Sequence, residues 1–314
     1  MSKHVLLTGA GGFVGQVLVP LLLAKNYSVT GISFGKHPIA DNGANWISLD
    51  VNDRLAVFEA VKRVKPSHVI HLAAQSHVPT SFHDPWNTWQ TNVIGTVNLL
   101  EAVRQHAFDS FFLYVSSSEV YGASFKIEQM VSEQIECQPM NPYAASKLAA
   151  ELAVNQYFRQ GLAGVIARPF NHIGVGQSPQ FVIASFAQQI AAIEAGKQKP
   201  VLKVGNLNAK RDFLDVRDVC EAYLKLIELH PVKIEDRLFN IASGKPWKIH
   251  DLLKILLQNS PCEIVVERDK NLMRLNDISV AAGDSTRLSS LISWQARVNI
   301  RDTLLDVLNY WRSQ

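Results

Sequence analysis

The chain has 314 residues, 47% hydrophobic and 19% charged, with a formal net charge of +3. That balance is ordinary for a globular protein and excludes a long disordered region; with acidic and basic residues interspersed it offers no basic stripe for nucleic acid, but it suits an anionic small substrate. No apolar run, residues 17–24 included, is long enough to span a bilayer, and the opening MSKHVLLTG has no secretory apolar stretch before a cleavage site, so a cytoplasmic protein with no membrane partner is expected.

Residues 4–8 predict a strand, 13–25 a helix and 28–33 a second strand. A helix is expected at 54–64, a strand at 68–73, a helix at 86–106, a strand at 111–115, a helix at 141–159 and a strand at 164–168. Parallel strands need a long crossover, so this alternation predicts an α/β fold, a Rossmann-type doubly wound parallel sheet. Strands buried on both faces read as continuous apolar runs, as HVLLT, HVIHLAA and FFLYV do. Pro20 conflicts with the first helix, where an interior proline costs about 3 kcal/mol, so a kink or a short helix is expected. Beyond residue 168 the regular alternation ends: 169–180 reads as loop, 181–195 as helix, 201–211 as turns, 215–228 as helix, 237–242 as strand, 249–258 as helix, 262–267 as strand and 301–311 as helix. This predicts a smaller, less regular C-terminal substrate domain.

TGAGGFVG at 8–15 joins the first strand to the first helix, with Gly9, Gly12 and Gly15 spaced GxxGxxG. Gly9 permits a tight turn. Gly12 lets the backbone approach a pyrophosphate at the positive end of the helix that Phe13 and Val14 open, and Gly15 lets helix and strand pack closely. Glycines also occur in loops for conformational reasons alone, but at the first βα turn of a parallel sheet the spacing reads as dinucleotide binding. An acid at the end of the second strand would hold the ribose 2′-hydroxyl of NAD; GISFGKH at 31–37 has Ser33 there, followed by Lys36 and His37. This favours NADP(H) over NAD(H), the plainer alternative being that Lys36 is a solvated loop residue.

YAASK at 143–147 falls on a predicted helix and puts Tyr143 and Lys147 one turn apart on one face. An ammonium beside a phenol lowers the phenol's pKa and makes it a usable acid or base, although the spacing alone is common on helix surfaces. The ten histidines form no HExxH set and Cys137, Cys220 and Cys262 form no CxxC pair, so a metal hydrolase is disfavoured, no metal site is expected and the thiols read as reduced.

VSSSEVYG at 115–122, HLAAQSHV at 71–78, TNVIGTVNLL at 91–100, RPFNHIG at 168–174 and RDFLDVRDV at 211–219 accompany the glycine turn and YAASK. In that order, and over nearly the whole chain, they resemble the extended short-chain dehydrogenase/reductase family. The resemblance implies that Ser117 hydrogen-bonds the reacting sugar oxygen, Tyr143 is the acid/base, and Lys147 binds the nicotinamide ribose. Asp50 and Val51 fall where the family contacts adenine, and Leu72, Ala73 and Ala74 where it passes the cofactor ribose and phosphate. Gln75, His77, Asn171, Arg211 and Arg274 would hold substrate, the arginines because their planar fork matches a diphosphate; for Arg274 a plain surface arginine is an equal reading. Ser116 and Ser118 flank the site, with polar turn residues as the plain alternative.

Within the family, RPFNHIGVGQ, VGNLNAKRDFLDVRDV and the closing LNYWRS look most like enzymes of GDP-6-deoxyhexose synthesis. The activity implied is NAD(P)H-dependent reduction of the C4 keto group of a GDP-linked 4-keto-6-deoxyhexose, giving GDP-6-deoxy-D-mannose. The alternative is 4,6-dehydration of GDP-mannose, in which Glu119, two residues after Ser117, stands where a dehydratase carries its C5 base; 4-epimerisation is third. The compact chain, and a serine at 117 where dehydratases commonly have threonine, favour reduction. A non-catalytic cofactor fold is disfavoured because Ser117, Tyr143 and Lys147 are all present. Residues 1–168 plus 212–242 would form the dinucleotide-binding domain, and 169–211 plus 243–314 the nucleotide-sugar-binding domain. Family members dimerise by pairing two helices per subunit in a four-helix bundle, which implies a homodimer through 86–106 and 141–159, unless those apolar residues serve only the subunit's own core.

Overall fold

A computed structural model describes residues 3–35, 43–128, 130–229, 237–273 and 278–314. The first half runs β1 (His4–Thr8), α1 (Phe13–Ala24), β2 (Ser28–Ser33), β3 (Asn45–Ser48), α2 (Arg54–Val64), β4 (His68–His71), α3 (Val78–His83), α4 (Pro85–Trp89), a π-helical segment (Gln90–Ile94), α5 (Gly95–His106) and β5 (Phe111–Val115). Next come β6 (Met130–Val131), α6 (Pro142–Arg159), β7 (Ala163–Pro169), β8 (Asn171–Ile173), α7 (Val182–Glu194), β9 (Val201–Val204), β10 (Lys210–Asp215) and α8 (Val216–Ile227). The chain ends with β11 (Leu238–Ile241), β12 (Pro246–Lys248), α9 (Ile249–Gln258), β13 (Val265–Arg268), β14 (Val280–Gly283), α10 (Thr286–Ile292) and α11 (Ile300–Arg312).

Seven strands form one sheet in the order β3-β2-β1-β4-β5-β7-β11, every neighbouring pair parallel. Helices α1 and α8 cover one face through Leu18, Leu22, Val219 and Tyr223, while α2, α5 and α6 cover the other through Val57, Leu99, Val103 and Val154. Burial on both sides explains the apolar runs: all five residues of β5 are buried. The expected doubly wound α/β sheet is therefore present. Connections leave in opposite directions from β1 and β4, so the carboxyl ends of these two strands border a crevice, with Thr8 and His71 register partners at its floor.

The remaining chain packs on a third apolar cluster, in which Ile183, Phe186 and Ile190 of α7 meet Leu252 and Leu256 of α9 and Leu304 and Leu308 of α11. A smaller sheet of order β12-β10-β14-β6, with β8 also on β10, and a β9–β13 pair complete it. Local polar groups fix the helix starts. Asp53 accepts from the Ala56 N–H at α2, Asp215 from Arg217 N–H at α8, and Asn141 from Ala144 N–H at α6, where Pro142 takes the first helical position.

The structure corrects several sequence expectations. Helix α1 runs through Pro20 for its full 12 residues, with Pro20 and Gln16 both exposed, so water can meet the carbonyl that proline leaves unpaired. The single helix expected at 86–106 is α4, a π-helical turn and α5. The turns expected at 201–211 contain β9 and the start of β10, and β3, β6, β8, β12 and β14, each two to four residues long, are too short to leave a periodic signal.

Candidate active site

The glycine turn lies at the carboxyl end of β1 and presses on the loop after β4. Gly9 has φ +68°, and a Cβ there would come within 2.8 Å of the Ala73 nitrogen. A Cβ on Gly15 would collide with the Ala10 carbonyl, so α1 can approach β1 only with glycine at that position. Gly12 caps α1 without a side-chain hydrogen bond, which leaves first-turn N–H groups facing the crevice. Phe13 stacks on His172 at 6.0 Å and 6°, joining the turn to β8, and the Val14 carbonyl lies 3.8 Å from the Cys220 sulfur.

The other expected cofactor residues line the same edge of the sheet. Ser33 ends β2 and is buried, whereas Lys36 lies outside the described residues. The Asp50 carboxylate accepts the Asn52 N–H at 2.9 Å, and Val51 packs beneath Gly95, where a Cβ would meet its Cγ2 at 2.7 Å. Leu72 N–H donates to the Thr8 carbonyl, and Ala73 and Ala74 continue the loop.

A hydrogen-bonded chain runs from this turn to α6. Ala73 N–H donates to Thr8 Oγ1 (3.1 Å), the Thr8 hydroxyl to His71 Nδ1 (2.6 Å), His71 Nε2–H to Thr96 Oγ1 (2.9 Å), and the Thr96 hydroxyl to the Asn92 carbonyl (2.7 Å). The tautomer of His71 follows from that sequence of donors. The Asn92 amide donates to the Gln75 carbonyl (3.0 Å) and to Ser146 Oγ (2.9 Å), and Ser146 donates to the Tyr143 carbonyl (2.8 Å). Burial, reinforced by the Lys147 charge, pushes the His71 pKa down to about 3. Ala73, Gln75 and Tyr143 were candidate site residues in the sequence, whereas Thr8, His71, Asn92, Thr96 and Ser146 were not singled out for function. The available signal is hydroxyl and amide side chains at buried positions of otherwise apolar elements.

Tyr143 and Lys147 occupy the first turns of α6, and both are buried. Lys147 Nζ donates to the Val115 carbonyl at 2.7 Å and lies over the Tyr114 ring, 4.9 Å from its centroid. Burial pushes the Lys147 pKa down to about 7, against the opposing charge of Glu151. Burial likewise pushes Tyr143 up to about 12; its hydrogen bond with Ser117 pulls the other way and the Glu119 charge adds to the rise. This runs against the expected lowering of the Tyr143 pKa, because burial penalises the phenolate and the Glu119 charge opposes it further. Ser117 also accepts the Glu119 N–H (3.2 Å), and Asn141 Nδ2 donates to the Glu119 carboxylate (3.1 Å). Ser117, Glu119 and Tyr143 are thus neighbours.

The expected substrate residues are less uniform. Gln75 braces its own loop, donating to Thr88 (3.1 Å) and accepting the His77 N–H (2.7 Å), and His77 pairs with Thr80 (2.9 Å). Asn171 is exposed on β8. Arg211 donates to the carbonyls of Lys210 (2.9 Å) and Ile278 (2.7 Å), so this edge of its fork holds backbone. Arg274 lies outside the described residues. Among the described residues no group of three His, Cys, Asp or Glu side chains could hold a metal ion.

The profile of the family described as GDP-mannose 4,6 dehydratase matches residues 6–307. The chain belongs to this family. It is an extended short-chain dehydrogenase/reductase, and along it the glycine turn, Ser117 and the Tyr143–Lys147 pair follow in this order. The chain is 36% identical to a GDP-6-deoxy-D-mannose reductase from Pseudomonas aeruginosa, over 100% of this chain and 99% of that one. It is 28% identical to a GDP-6-deoxy-D-talose 4-dehydrogenase from Aggregatibacter actinomycetemcomitans, over 92% and 90%. The solved structure of RMD from Pseudomonas aeruginosa complexed with NADPH superposes with a TM-score of 0.87 at 35% identity, over 99% of each chain.

Proposed function

We propose that this protein is an NAD(P)H-dependent nucleotide-sugar 4-ketoreductase that converts a GDP-linked 4-keto-6-deoxyhexose to GDP-6-deoxy-D-mannose (GDP-rhamnose). The observation that carries this reading is the meeting of Ser117 and Tyr143, with Lys147 one turn on, beside the glycine turn in a chain 36% identical along its length to a GDP-6-deoxy-D-mannose reductase.

The cradle fits a dinucleotide. Gly9 and Gly15 let the turn, the loop after β4 and α1 close up where a Cβ would collide with the Ala73 and Ala10 backbone, and α1 begins without a side-chain cap. Gly9, Gly12, Phe13, Val14 and Gly15 would hold the pyrophosphate, Asp50 and Val51 the adenine, Leu72 to Ala74 the ribose and phosphate, and Lys147 the nicotinamide ribose. The dinucleotide supplies the hydride when bound. Burial keeps Tyr143 protonated, as an acid for reduction must be before the reaction. Tyr143 then gives its proton to the oxygen developing charge at C4, Ser117 donates a hydrogen bond to the same oxygen, and the Lys147 cation favours the phenolate left behind. Asn171, His77, Gln75, Arg211 and Arg274 are assigned to the substrate side.

Ser33 in place of an acid, with Lys36 after it, supports NADP(H) over NAD(H). The division into residues 1–168 plus 212–242 for cofactor and 169–211 plus 243–314 for substrate belongs to the same proposal. So does a homodimer through the α4–α5 and α6 helices, supported by exposed Trp86 (73%), Trp89 (40%) and Leu152 (69%). Free cysteines, and no helix among the described residues long and apolar enough to cross a membrane, support a cytoplasmic location.

The deciding assay follows NADPH absorbance with GDP-4-keto-6-deoxy-D-mannose, beside a sample of GDP-mannose with catalytic NADP⁺. Oxidation with the keto sugar alone supports the reductase. Keto-sugar formation from GDP-mannose with no NADPH oxidation overturns it. The second reading, dehydration, is favoured by one observation: Asn141 fixes the Glu119 carboxylate beside Ser117 and Tyr143. Glu119→Gln separates the two, since a dehydratase loses its C5 base whereas a reductase keeps its acid, Tyr143.

A further inference from the structure

Behind the catalytic pair lies a buried ionic cluster that the reaction as described does not use. Glu151 sits one turn beyond Lys147 on α6. Its carboxylate receives two parallel bonds from Arg168 of β7, from Nε at 2.9 Å and Nη2 at 2.6 Å, with both side chains at most 5% exposed. It also accepts the hydroxyl of Ser116, which stands between Val115 and Ser117. The Arg168 guanidinium in turn lies over the Tyr121 ring, 4.8 Å from its centroid.

An ion pair withdrawn from water is weak evidence for stability, because desolvation offsets most of the Coulomb attraction, so its position calls for another reason. The position is specific. Val115 supplies the carbonyl that holds Lys147, Ser117 supplies the hydroxyl beside Tyr143, and Glu151 grips the residue between them. We propose that Glu151 is a positioning residue for the catalytic pair: clamped to Arg168, it fixes the 115–117 segment through Ser116 and places a carboxylate one turn from Lys147.

The groups facing Lys147 support the second part. Tyr143 and Glu151 lie on its own helix, Tyr114 on β5 and His71 on β4, while Arg168 of β7 is paired with Glu151. His71 is held neutral and the Tyr114 phenol is pushed well up by burial, so neither sets a charge beside Lys147. Glu151 is therefore the acidic side chain acting to hold the proton on a lysine that burial would strip of it. This rests on the reading of Tyr143 and Lys147 as the reacting pair.

The test is Glu151→Gln, which keeps the size and removes the charge. Two profiles against pH are recorded: NADPH oxidation with the keto sugar, and NADPH binding by fluorescence, which needs no sugar. The expected result is a displacement of the alkaline limb of both profiles towards lower pH by about one unit, with an activity loss of about tenfold near neutral pH that is partly recovered in acid. A folded variant with wild-type profiles, even with a lower melting temperature, would make Glu151 merely structural and overturn the proposal. If Glu151→Gln does not fold, Ser116→Ala decides: kcat falling several-fold with the KM for NADPH within about twofold supports the clamp, and an unchanged kcat sinks it. If the wild type binds NADPH but leaves the keto sugar untouched, the functional reading fails while the binding profile still judges Glu151.

Discussion

The Thr8 hydroxyl donates to Nδ1 of His71 across 2.6 Å while accepting the Ala73 N–H at 3.1 Å. The last residue of β1 thereby fixes the tautomer of the last residue of β4 and the path of the loop that Gly9 presses against. Thr8→Val removes both bonds with little change of shape and leaves the buried His71 Nδ1 unpaired, at a cost of about 1–3 kcal/mol, and the half-buried Ala73 N–H without its acceptor. The expected outcome is a lower urea midpoint and weaker NADPH binding, with kcat at saturating cofactor much less affected. Equilibrium unfolding and an NADPH titration check it.

His71 also makes stability depend on pH in a defined direction. Its pKa is pushed from 6.5 to about 3 in the folded state, so the unfolded chain takes up the proton first as acid is added. The contribution of neutral His71 is present in full above pH 6.5 and declines between 6.5 and about 3, by at most about 1.4 kcal/mol per pH unit. His172 and His4, lowered by burial, act in the same sense. Urea unfolding from pH 7 to pH 4 should show stability falling, and His71→Gln should flatten part of that fall.

Tyr143→Phe removes the proton donor and preserves the ring that fills the start of α6. Activity should drop about 10²–10⁴-fold, with NADPH binding and melting temperature near wild type. Retained keto-sugar reduction would remove Tyr143 from its assigned role.

The proposed dimer makes a prediction of its own. Leu152 is 69% exposed on α6, and Trp86 73% exposed on α4. Leu152→Glu should give monomers by light scattering while leaving the sheet folded, because a charge on an open surface costs an isolated subunit little but is penalised in a closed apolar contact. A variant with the same mass in solution as wild type would argue for a different interface.

Much of this was legible in the sequence where a motif and a periodic element coincide. Gly9 and Gly15 mark the turn because their backbone positions admit no Cβ, with Gly12 tight against the Gly9 carbonyl between them, and Tyr143 and Lys147 share a helix face because they are four residues apart. The short strands of the second half escape periodic reading, since two to four residues cannot establish a period. Glu151, Arg168 and Ser116 were hidden for another reason: their meaning depends on β5, β7 and α6 lying side by side, and 17 and 35 residues separate the two partners from Glu151. The shift of Tyr143 was misjudged because spacing along a helix shows who stands near a phenol but not how little water reaches it.

The π-helical turn at Gln90–Ile94 divides one rod into two differently phased halves. Ahead of it Trp86 and Trp89 face outward; behind it Leu99, Leu100 and Val103 face the sheet, and Asn92 within it reaches Ser146. Each residue of an α-helix advances the face by about 100°, so deleting one residue here would make the helix regular and rotate one half against the other by about that angle. The tryptophans and the sheet-facing leucines could not then both keep their bearings. Asn92 apart, the residue count of this stretch therefore matters more than its identities, and a gap within 90–94 in a relative would signal a differently oriented outer surface.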